Sequence, residues 1–553
     1  MSRSSTVRPS LDGEQFEIAV IGGGINGVAV ARECARAGRS VVLLEQNDFA
    51  SGTTSRSTRI IHGGLRYLQY AEISLVRESL HDRDRLVRER PHLVRPMRFV
   101  LALDGLRGAS ALQIRAGLWL YRKLAGSHWN NPHPSAIGTL EQELDSGRNW
   151  SIFDYDDAQC EFPERLVAEW MFEAVEAGAI VRNYSQVLDI QHTTGRATGL
   201  RFRDRLSSKE SEISCQWIVN ATGPWVDQVC ADASIPTGGP LIGGVRGTHL
   251  VLPVFPGAPD SALYTQASDG RVIFIIPWNR QILVGTTEVP DSGDPSRTVP
   301  SANEIEYLLA CVNGLFPRAG INLSDIQYAF AGVRPLPYME DVAPSAVTRK
   351  SILYDHKQDG VPGMISIVGG KLTTASSLAR RVATALRIKP EPLPKVTVPI
   401  GNASGMQTVL SHWAQSLSRT SGISGDTVMQ IANLYGPRTP KIVALASYDE
   451  RMLRPLCDHT RNIVAEAIYA IRSECAVTMA DVILRRVPVG LGPCWSFECS
   501  RTAVARIGSV LGWNESECES QAEALELERN EFLCKPDFKM PVERPSSGAQ
   551  SFV

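Results

Sequence analysis

The sequence lacks any apolar run long enough to cross a bilayer. Its strongest run, Val272 to Ile276, has the length of a β-strand, whereas a membrane-spanning helix needs about 20 apolar residues. An excess of one charge is also missing, because 57 Lys and Arg stand against 59 Asp and Glu, a net charge of -2. We therefore expect no nucleic acid partner, and any anionic ligand has to be held by a local cluster of cations.

The 11 cysteines are scattered, and they include no CxxC pair. Only Cys494 and Cys499 lie close together in sequence, so zinc-type spacing is absent. We expect reduced thiols in a cytoplasmic protein, and no metal site. Residues 1–14 lack the hydrophobic segment of a secretory signal, and we expect a frayed tail there.

The N-terminal region carries a dinucleotide fingerprint. Its pattern predicts a strand, a glycine turn, a helix and a second strand, at 16–21, 22–27, 28–37 and 41–44. Such a βαβ unit within about 30 residues is the context that the motif GxGxxG requires. We expect Gly22 to permit the tight turn, Gly24 to let the backbone approach a pyrophosphate, and Gly27 to let the helix pack on the strand.

The second strand of this unit ends at Glu45, where a carboxylate can accept hydrogen bonds from ribose hydroxyls. Gln46 and Asn47 follow, so no Arg is placed for a 2′-phosphate, which disfavours NADP. Only one fingerprint is present, and Ala221-Thr222-Gly223 follows a later predicted strand, as in glutathione-reductase-like flavoproteins. These features favour FAD over NAD, and they indicate that the electrons leave to an acceptor other than NAD(P).

Residues 51–70 form a segment rich in Ser, Thr and Gly that also contains Arg56, Arg59, His62 and Arg66. Backbone and hydroxyl donors of this kind suit a flavin pyrophosphate or ring edge, and Gly63-Gly64 would let the chain lie against the isoalloxazine. The alternative is a polar loop whose charges lie in solvent. Three further candidates adjoin Gly or Pro at the ends of apolar runs, where strands open into clefts: His249, Arg334 and Lys371.

At these motifs the sequence resembles the FAD-dependent glycerol-3-phosphate dehydrogenase family, including its glycerol-3-phosphate oxidase branch. The stretches that carry the resemblance are VIGGGINGVAVA, RIIHGGLRYL, VNATGPWV, GTHLVLP, FIIPW, VGTTEV, GVRPL, GGKLTT and residues 465–486. This chain departs from the family's pattern at Gln69, at Ala375-Ser376 and in the piece after GVRPL. These differences leave the exact substrate and acceptor open.

The resemblance implies oxidation of sn-glycerol 3-phosphate to dihydroxyacetone phosphate, with electrons passed to quinone or, in the oxidase branch, to oxygen. A related flavin oxidase of another anionic hydroxy or amino compound is the second reading, and a flavin-bound sensor without turnover is the third. The oligomeric state, monomer or homodimer, stays open. The resemblance also implies an α/β fold in which a glutathione-reductase-like (Rossmann) FAD domain carries an inserted β-rich substrate domain and is followed by a C-terminal helical domain.

The expected organisation is an oxidoreductase unit at 15–388, a Pro-rich linker at 389–405, a helical domain at 406–533 and a tail at 534–553. Within the unit, the FAD domain takes about 15–95, 150–238 and 335–388, and the substrate domain about 96–149 and 239–334. Residues 72–90 are expected to form a solvated helix. The flavin contacts expected are Gly22, Gly24, Ile25, Asn26, Gly27, Glu45, Gln46, Thr54, Ser55, Ser57, His62, Gly63, Gly64, Leu65, Ala221, Thr222, Gly223, Gly370, Lys371, Leu372 and Thr373.

By the same resemblance, Arg66 and Tyr67 lie at the substrate, and Arg334 and Lys371 contact substrate or flavin. A histidine of ordinary pKa, about 6.5, suits the base that removes the hydroxyl proton, and His249 is the first candidate and His62 the second. Residues 107–124 mix basic residues with Leu and Trp. Such a segment indicates peripheral contact with the inner face of a membrane, or else a core-packed helix with a solvated basic side.

Overall fold

The computed structural model describes residues 8–105, 109–125, 137–344, 346–392 and 403–535. The strands are β1 Gln15–Ile21, β2 Val41–Leu44, β3 Ile60–Ile61, β4 Val94–Asp104, β5 Trp150–Cys160, β6 Ile180–Arg182, β7 Ser185–Thr193, β8 Arg196–Asp204, β9 Glu210–Asn220, β10 Ile242–Leu252, β11 Ala262–Gln266, β12 Val272–Trp278, β13 Gln281–Gly285, β14 Val289–Pro290, β15 Tyr328–Pro337, β16 Ile352–Asp355 and β17 Met364–Val368.

The α-helices are α1 Ile25–Arg36, α2 Ile73–Glu89, α3 Ala109–Ala125, α4 Ile137–Glu143, α5 Pro163–Glu176, α6 Val226–Asp232, α7 Ala302–Leu315, α8 Ala375–Ala385, α9 Ala403–Ser421, α10 Gly425–Tyr435, α11 Thr439–Ala446, α12 Val464–Ser473, α13 Phe497–Leu511 and α14 Glu515–Phe532. Among the described residues, no helix is both long and apolar enough to span a bilayer.

The first sheet has the strand order β16-β17-β9-β1-β2-β6, and the β7–β8 hairpin is joined to it through β9. Strands β1, β2, β6, β9 and β17 run parallel, so their carboxyl ends meet at one edge. One face of this sheet is covered by α1, α5 and α8, whose apolar residues form a common core with β1 and β2. Loops that follow the parallel strands are thereby gathered at one edge, where open α/β sheets bind ligands.

The second sheet has the order β14-β10-β13-β12-β11-β4-β5-β3, with β15 beside β10. It is mostly antiparallel, and its own core contains residues of α4 and α7. Helices α9 to α14 form a further layer, and their core includes Val251, Trp278 and Tyr328 of the second sheet. The predicted α/β fold with a β-rich part and a C-terminal helical part is confirmed.

The structure differs from two expectations about local structure. The strand at 150–160, assigned to the FAD domain, pairs along its whole length with β4 and so belongs to the second sheet. Helix α2 is not solvated all round, because Asp82, Arg83 and Asp84 are buried. This happens because Asp157 of β5 pairs with Arg83 at 2.7 Å, an ion pair that sequence patterns do not reveal.

The predicted N-terminal tail is also partly ordered. The Arg8 guanidinium donates to the Asn183 backbone oxygen at 2.7 Å, and Leu11 is buried. At the other end, Cys534 forms a β-bridge with Ala329, because the two backbones exchange hydrogen bonds. The rest of both predicted tails, at 1–7 and 536–553, and most of the predicted linker, at 393–402, lie outside the described residues.

Candidate active site

A cleft of about 1140 Å³ is lined by residues of both sheets and of α14. The structure brings together there every residue predicted for cofactor, substrate or catalysis except Gly27 and Gly63, which lie just behind its wall. Helix α14 adds a wall that the sequence analysis missed, and Phe532 of this helix lies 5.3 Å from the Arg56 guanidinium. No motif marks these α14 residues, because they reach the cleft only through packing of the helical layer.

The glycines of the fingerprint have different roles. Gly22 has φ +103°, and a Cβ there would lie 2.7 Å from the Ala221 oxygen. A Cβ on Gly27 would lie 1.9 Å from the Gly22 oxygen, so only glycine lets α1 approach β1 this closely. At Gly24 a Cβ would meet only the Thr54 hydroxyl at 3.4 Å, so the space beside the start of α1 is otherwise free for a ligand. A helix N-terminus of this kind favours phosphate groups.

Glu45 ties the glycine turn to the end of β2. Its carboxylate accepts hydrogen bonds from the backbone N–H of Gly23 at 2.6 Å and of Asn47 at 2.8 Å. Burial raises the pKa of this carboxyl above its ordinary value. The nearby Asn26 amide donates weakly to the Gly369 oxygen at 3.4 Å, but its buried Oδ1 has no hydrogen-bond partner among the described residues. A buried polar atom without a partner at a cleft wall indicates a place for a polar ligand.

The loop after β3 is shaped by two glycines. A Cβ on Gly63 would clash with Leu80 and with the Tyr121 hydroxyl, which explains why Gly63 lies behind the wall. Gly64 has φ +81°, and a Cβ there would lie within the Tyr67 ring. The ammonium group of Lys371 lies 4.3 Å from the centre of that ring and donates to the Ser79 hydroxyl at 3.0 Å. Burial lowers the pKa of Lys371 to about 7.

His249 lies on β10 and is only 2% exposed. Its imidazole stacks on Phe330 at 5.0 Å, and its Nε2 lies 3.0 Å from the Thr58 hydroxyl. The buried Nδ1 has no hydrogen-bond partner in the part of the chain that the structure describes. If Nε2–H donates to Thr58, Nδ1 carries a lone pair that can accept a proton.

Neither histidine has the ordinary pKa that the sequence analysis assumed. Burial, followed by the charges of Arg334 and Arg59, lowers the pKa of His249 to about 3. Burial, followed by the charges of Lys371 and Arg83, lowers the pKa of His62 to about 3. Both imidazoles are therefore neutral at pH 7 before a ligand binds, which is the form that a base needs, although they are weakly basic.

Arg334 lies on β15 beside a second arginine that the sequence analysis missed. Its guanidinium donates to the Thr286 hydroxyl at 3.0 Å and lies 3.6 Å from the Glu288 carboxylate. Arg349 donates to the same Glu288 oxygen at 3.1 Å. Burial lowers the pKa of Arg334 to about 10, and the Glu288 charge opposes this only in part. Arg349 lies shortly after the piece of sequence that departs from the family, and no motif marked it.

Arg59, one of the cations in the 51–70 segment, has a structural role instead. Its guanidinium pairs with the buried Glu164 at 3.0 Å and lies 4.5 Å from the centre of the Trp278 ring. Arg66 lines the cleft, as expected, and bonds the side chain of Tyr70. The segment is therefore neither a solvated loop nor a uniform cationic pocket, because a tertiary carboxylate neutralises one of its arginines.

Comparisons with known proteins agree with this geometry. Residues 17–382 match the model of the FAD dependent oxidoreductase family, and residues 398–518 match the C-terminal domain of alpha-glycerophosphate oxidase. A glycerol-3-phosphate dehydrogenase of Synechocystis sp. is 36% identical over 557 residues, which cover 96% of this chain and 99% of the relative. The chain belongs to the FAD-dependent oxidoreductase family, among the glycerol-3-phosphate dehydrogenases.

Two further relatives bear on cofactor and substrate. The crystal structure of glycerol-3-phosphate dehydrogenase from Bacillus halodurans complexed with FAD has a TM-score of 0.73 at 25% identity, and covers 94% of this chain and 96% of that one. A D-erythritol 1-phosphate dehydrogenase of Brucella abortus is 33% identical, covering 86% of this chain and 94% of the relative. The enzyme is a flavoprotein, and FAD is its cofactor, as the fingerprint predicted.

The residues present fit FAD. The start of α1 with the Gly24 space suits the pyrophosphate, and Glu45 lies where a ribose hydroxyl can donate to it. The partnerless Asn26 Oδ1 and the Gly63-Gly64 loop lie further along the same cleft. Which of the individual residues contact the flavin remains a prediction.

Proposed function

We propose that the enzyme oxidises sn-glycerol 3-phosphate to dihydroxyacetone phosphate, with FAD as the first electron acceptor. The observation that supports this best is the charge at one end of the cleft. Arg334 and Arg349 share a single carboxylate, Glu288, and the pKa of Lys371 is lowered because its burial outweighs the opposing charges of Glu72 and Glu78. An anionic substrate would supply the missing negative charge, and arginine forks suit phosphate oxygens.

In the proposed mechanism, Arg334 and Arg349 hold the substrate phosphate together with Arg66. The neutral His249 accepts the C2 hydroxyl proton at Nδ1, while Thr58 fixes its ring through Nε2. A bound phosphate dianion raises the pKa of nearby groups, so His249 becomes more basic and Lys371 becomes an ammonium that stabilises the developing alkoxide. When bound, FAD supplies a hydride acceptor at flavin N5. His62, with its amide bonded to Thr373, is the alternative base.

The test is anaerobic reduction of the flavin by substrate, measured as the loss of the visible absorption band of the flavin. Glycerol 3-phosphate should bleach the band, whereas glycerol, which lacks the phosphate, should not. Bleaching by D-erythritol 1-phosphate tests whether the cleft prefers a longer phosphorylated polyol, as the D-erythritol 1-phosphate dehydrogenase of Brucella abortus suggests. Faster bleaching by an anionic amino compound, or no bleaching by any of these, would contradict the proposed substrate.

We also propose that quinone reoxidises the enzyme at a membrane surface, and that α3 makes the contact. One face of this helix is buried in a core with the loop that lines the cleft, through Leu118 and Tyr121. On another face, Leu112 and Trp119 are 69% and 62% exposed, and the Lys123 ammonium lies 5.0 Å from the Trp119 ring. Exposed apolar side chains between basic ones are typical of helices that lie at an anionic lipid interface.

Co-sedimentation with anionic vesicles tests this contact. The wild-type enzyme should bind, and binding should weaken at high salt because surface charges are screened. Replacing Arg115 and Lys123 by Glu should release the enzyme without changing anaerobic flavin reduction. The matched control is Arg201→Glu with Arg203→Glu on β8, which reverses two exposed charges that pair with Glu210 instead. Equal binding of both double variants would contradict the contact through α3. Rapid peroxide formation with no quinone reduction would place the enzyme with the oxidases.

A further inference from the structure

Two cysteines and a histidine meet in the helical layer, although Cys499 is 40 positions from His459 in the chain. The thiols of Cys457 and Cys499 and an imidazole nitrogen of His459 all lie within 4.8 Å of one another. The Cys499 sulfur lies 3.7 Å from the His459 Nδ1. In a tetrahedral zinc site, bonds of roughly 2.0–2.3 Å put neighbouring ligand atoms roughly 3.3–3.8 Å apart, so these side chains need to move little to share an ion.

The backbone holds these three side chains in place. The segment 455–463 turns back on itself, because Pro455 and Ile463 form a β-bridge and the Leu456 amide donates to the Asn462 oxygen at 2.7 Å. Cys457 and His459 stand at the tip of this turn, and the His459 backbone N–H donates to the Cys457 sulfur. Such an N–H to sulfur bond orients a thiolate ligand, as outer-shell partners do in metal sites.

Cys499 comes from the other side, in the first turn of α13. Its backbone N–H donates to the Ser496 hydroxyl that caps this helix, at 3.3 Å, and its thiol donates to the Cys494 carbonyl at 3.3 Å. A helix N-terminus favours the thiolate that a metal requires. Cys457 and Cys499 are buried, whereas His459 is exposed, so the cluster has two sheltered ligands and a path to solvent.

We propose that Cys457, His459 and Cys499 bind a divalent zinc ion that clamps the 455–463 turn to the start of α13. Two thiols and an imidazole are soft and borderline ligands that suit zinc, and each thiol releases its proton to solvent on binding. A fourth ligand from water or from the adjacent Cys494 completes the coordination. None of the four residues lines the cleft, so the site is separate from the flavin chemistry.

The first experiment measures metal content of the full-length, FAD-loaded enzyme after reduction, incubation with zinc and removal of free metal. We expect about one zinc per chain by elemental analysis. Cobalt in place of zinc should give tetrahedral ligand-field absorption to the red of the flavin band. Cys457→Ser and Cys499→Ser should both abolish stoichiometric binding, while Cys518→Ser, in the same helical layer, should retain it.

His459→Gln guards against a result caused by misfolding, because His459 is exposed and its replacement leaves the core intact. This variant should weaken zinc binding at least about tenfold while flavin content and anaerobic flavin reduction stay at wild-type values. The proposal is overturned if wild type takes up well under one zinc per chain, or if uptake is unchanged in Cys457→Ser and Cys499→Ser. It is also overturned if His459→Gln binds zinc as tightly as wild type.

Discussion

Two groups of arginines behave in opposite ways in this enzyme. Arg165 pairs with both oxygens of Glu474 at 2.8 and 3.0 Å, and both side chains are fully buried. Burial alone lowers the pKa of Arg165, but Glu474 raises it overall. In the cleft, Arg334 and Arg349 share one carboxylate, and the pKa of Arg334 falls to about 10. The difference teaches that a fully paired arginine joins elements, whereas an under-paired one marks a place for an anion.

Arg165 lies on α5 of the first sheet's helical cover, and Glu474 follows α12 in the C-terminal layer. Arg485 and Arg486 make a second junction of this kind, because both pair with the buried Asp48 near the end of β2. The paired arginines thus attach the C-terminal layer to the flavin-binding sheet. The under-paired ones lie on or next to the second sheet and face the cleft.

The largest effect on the rate of flavin reduction should come from removing the candidate base in the cleft, His249. His249→Ala should slow anaerobic flavin reduction by about 10²–10⁴-fold, the usual cost of losing a general base. Single-turnover absorbance measures it. His356→Gln, which changes a histidine outside the cleft, is the control and should leave the rate near normal. A normal rate in His249→Ala together with a slow one in His62→Ala would move the base to the loop after β3.

Replacing a fully paired arginine should lower the stability of the enzyme rather than its activity. Arg165→Met leaves Glu474 buried without its partner, so the free energy of unfolding should fall by about 3–5 kcal/mol. Urea unfolding followed by circular dichroism measures this, and kcat/KM of the folded fraction should not change. Adding Glu474→Met should recover much of the loss, because neither charge is then stranded. A large loss of kcat/KM at unchanged stability would contradict the assignment.

Replacing an under-paired arginine should lower the activity of the enzyme rather than its stability. Arg334→Ala should lower kcat/KM by about tenfold to a hundredfold, since a charged hydrogen bond is worth roughly 1.5–3 kcal/mol. Its free energy of unfolding should hold or rise, because a cation whose desolvation Glu288 offsets only in part is removed. Steady-state kinetics and urea unfolding measure the two effects. A change in kcat/KM below about twofold would remove Arg334 from the substrate site.

The smallest effect concerns the pH dependence that Lys371 confers. Its pKa of about 7 means that the ammonium form is lost as pH rises through 7, so kcat/KM for an anionic substrate should fall above that pH. Ser79→Ala removes the hydroxyl that accepts from the ammonium, which disfavours the charged form and should move the fall to lower pH by less than about one unit.

Lys371→Arg should move the same fall far above neutral pH, because arginine stays protonated. Ser377→Ala, which removes a serine bonded to Asp82 outside the cleft, is the control and should leave the profile in place. A wild-type profile that shows no fall between pH 6 and 9, a range of roughly one to two units on either side of that pKa, would show that Lys371 does not carry the charge that binds substrate.

Much of the FAD-binding half could be predicted because its signals are local. Gly22, Gly27 and Glu45 act within one βαβ unit, where backbone approach and strand ends follow from sequence spacing. The substrate end was predicted in part, through His249, Arg334 and Lys371. Arg349, Glu288 and Phe532 were missed. Arg349 and Phe532 reach the cleft through long-range packing and lie in no recognisable motif, whereas Glu288 lies in the stretch VGTTEV but was given no role.

By itself, the sequence determined the cofactor class, the α/β fold and the segments that border the cleft. Glycine spacing and alternation of apolar runs constrain the backbone locally. That constraint holds in any fold that contains the βαβ unit. Only the tertiary structure decided which charges are compensated: Arg59 by Glu164, Arg165 by Glu474, and Arg334 only in part. It also decided that Cys457, His459 and Cys499 meet. Charge and coordination depend on distances of a few ångströms, and between residues that are distant in sequence only the folded chain sets those distances.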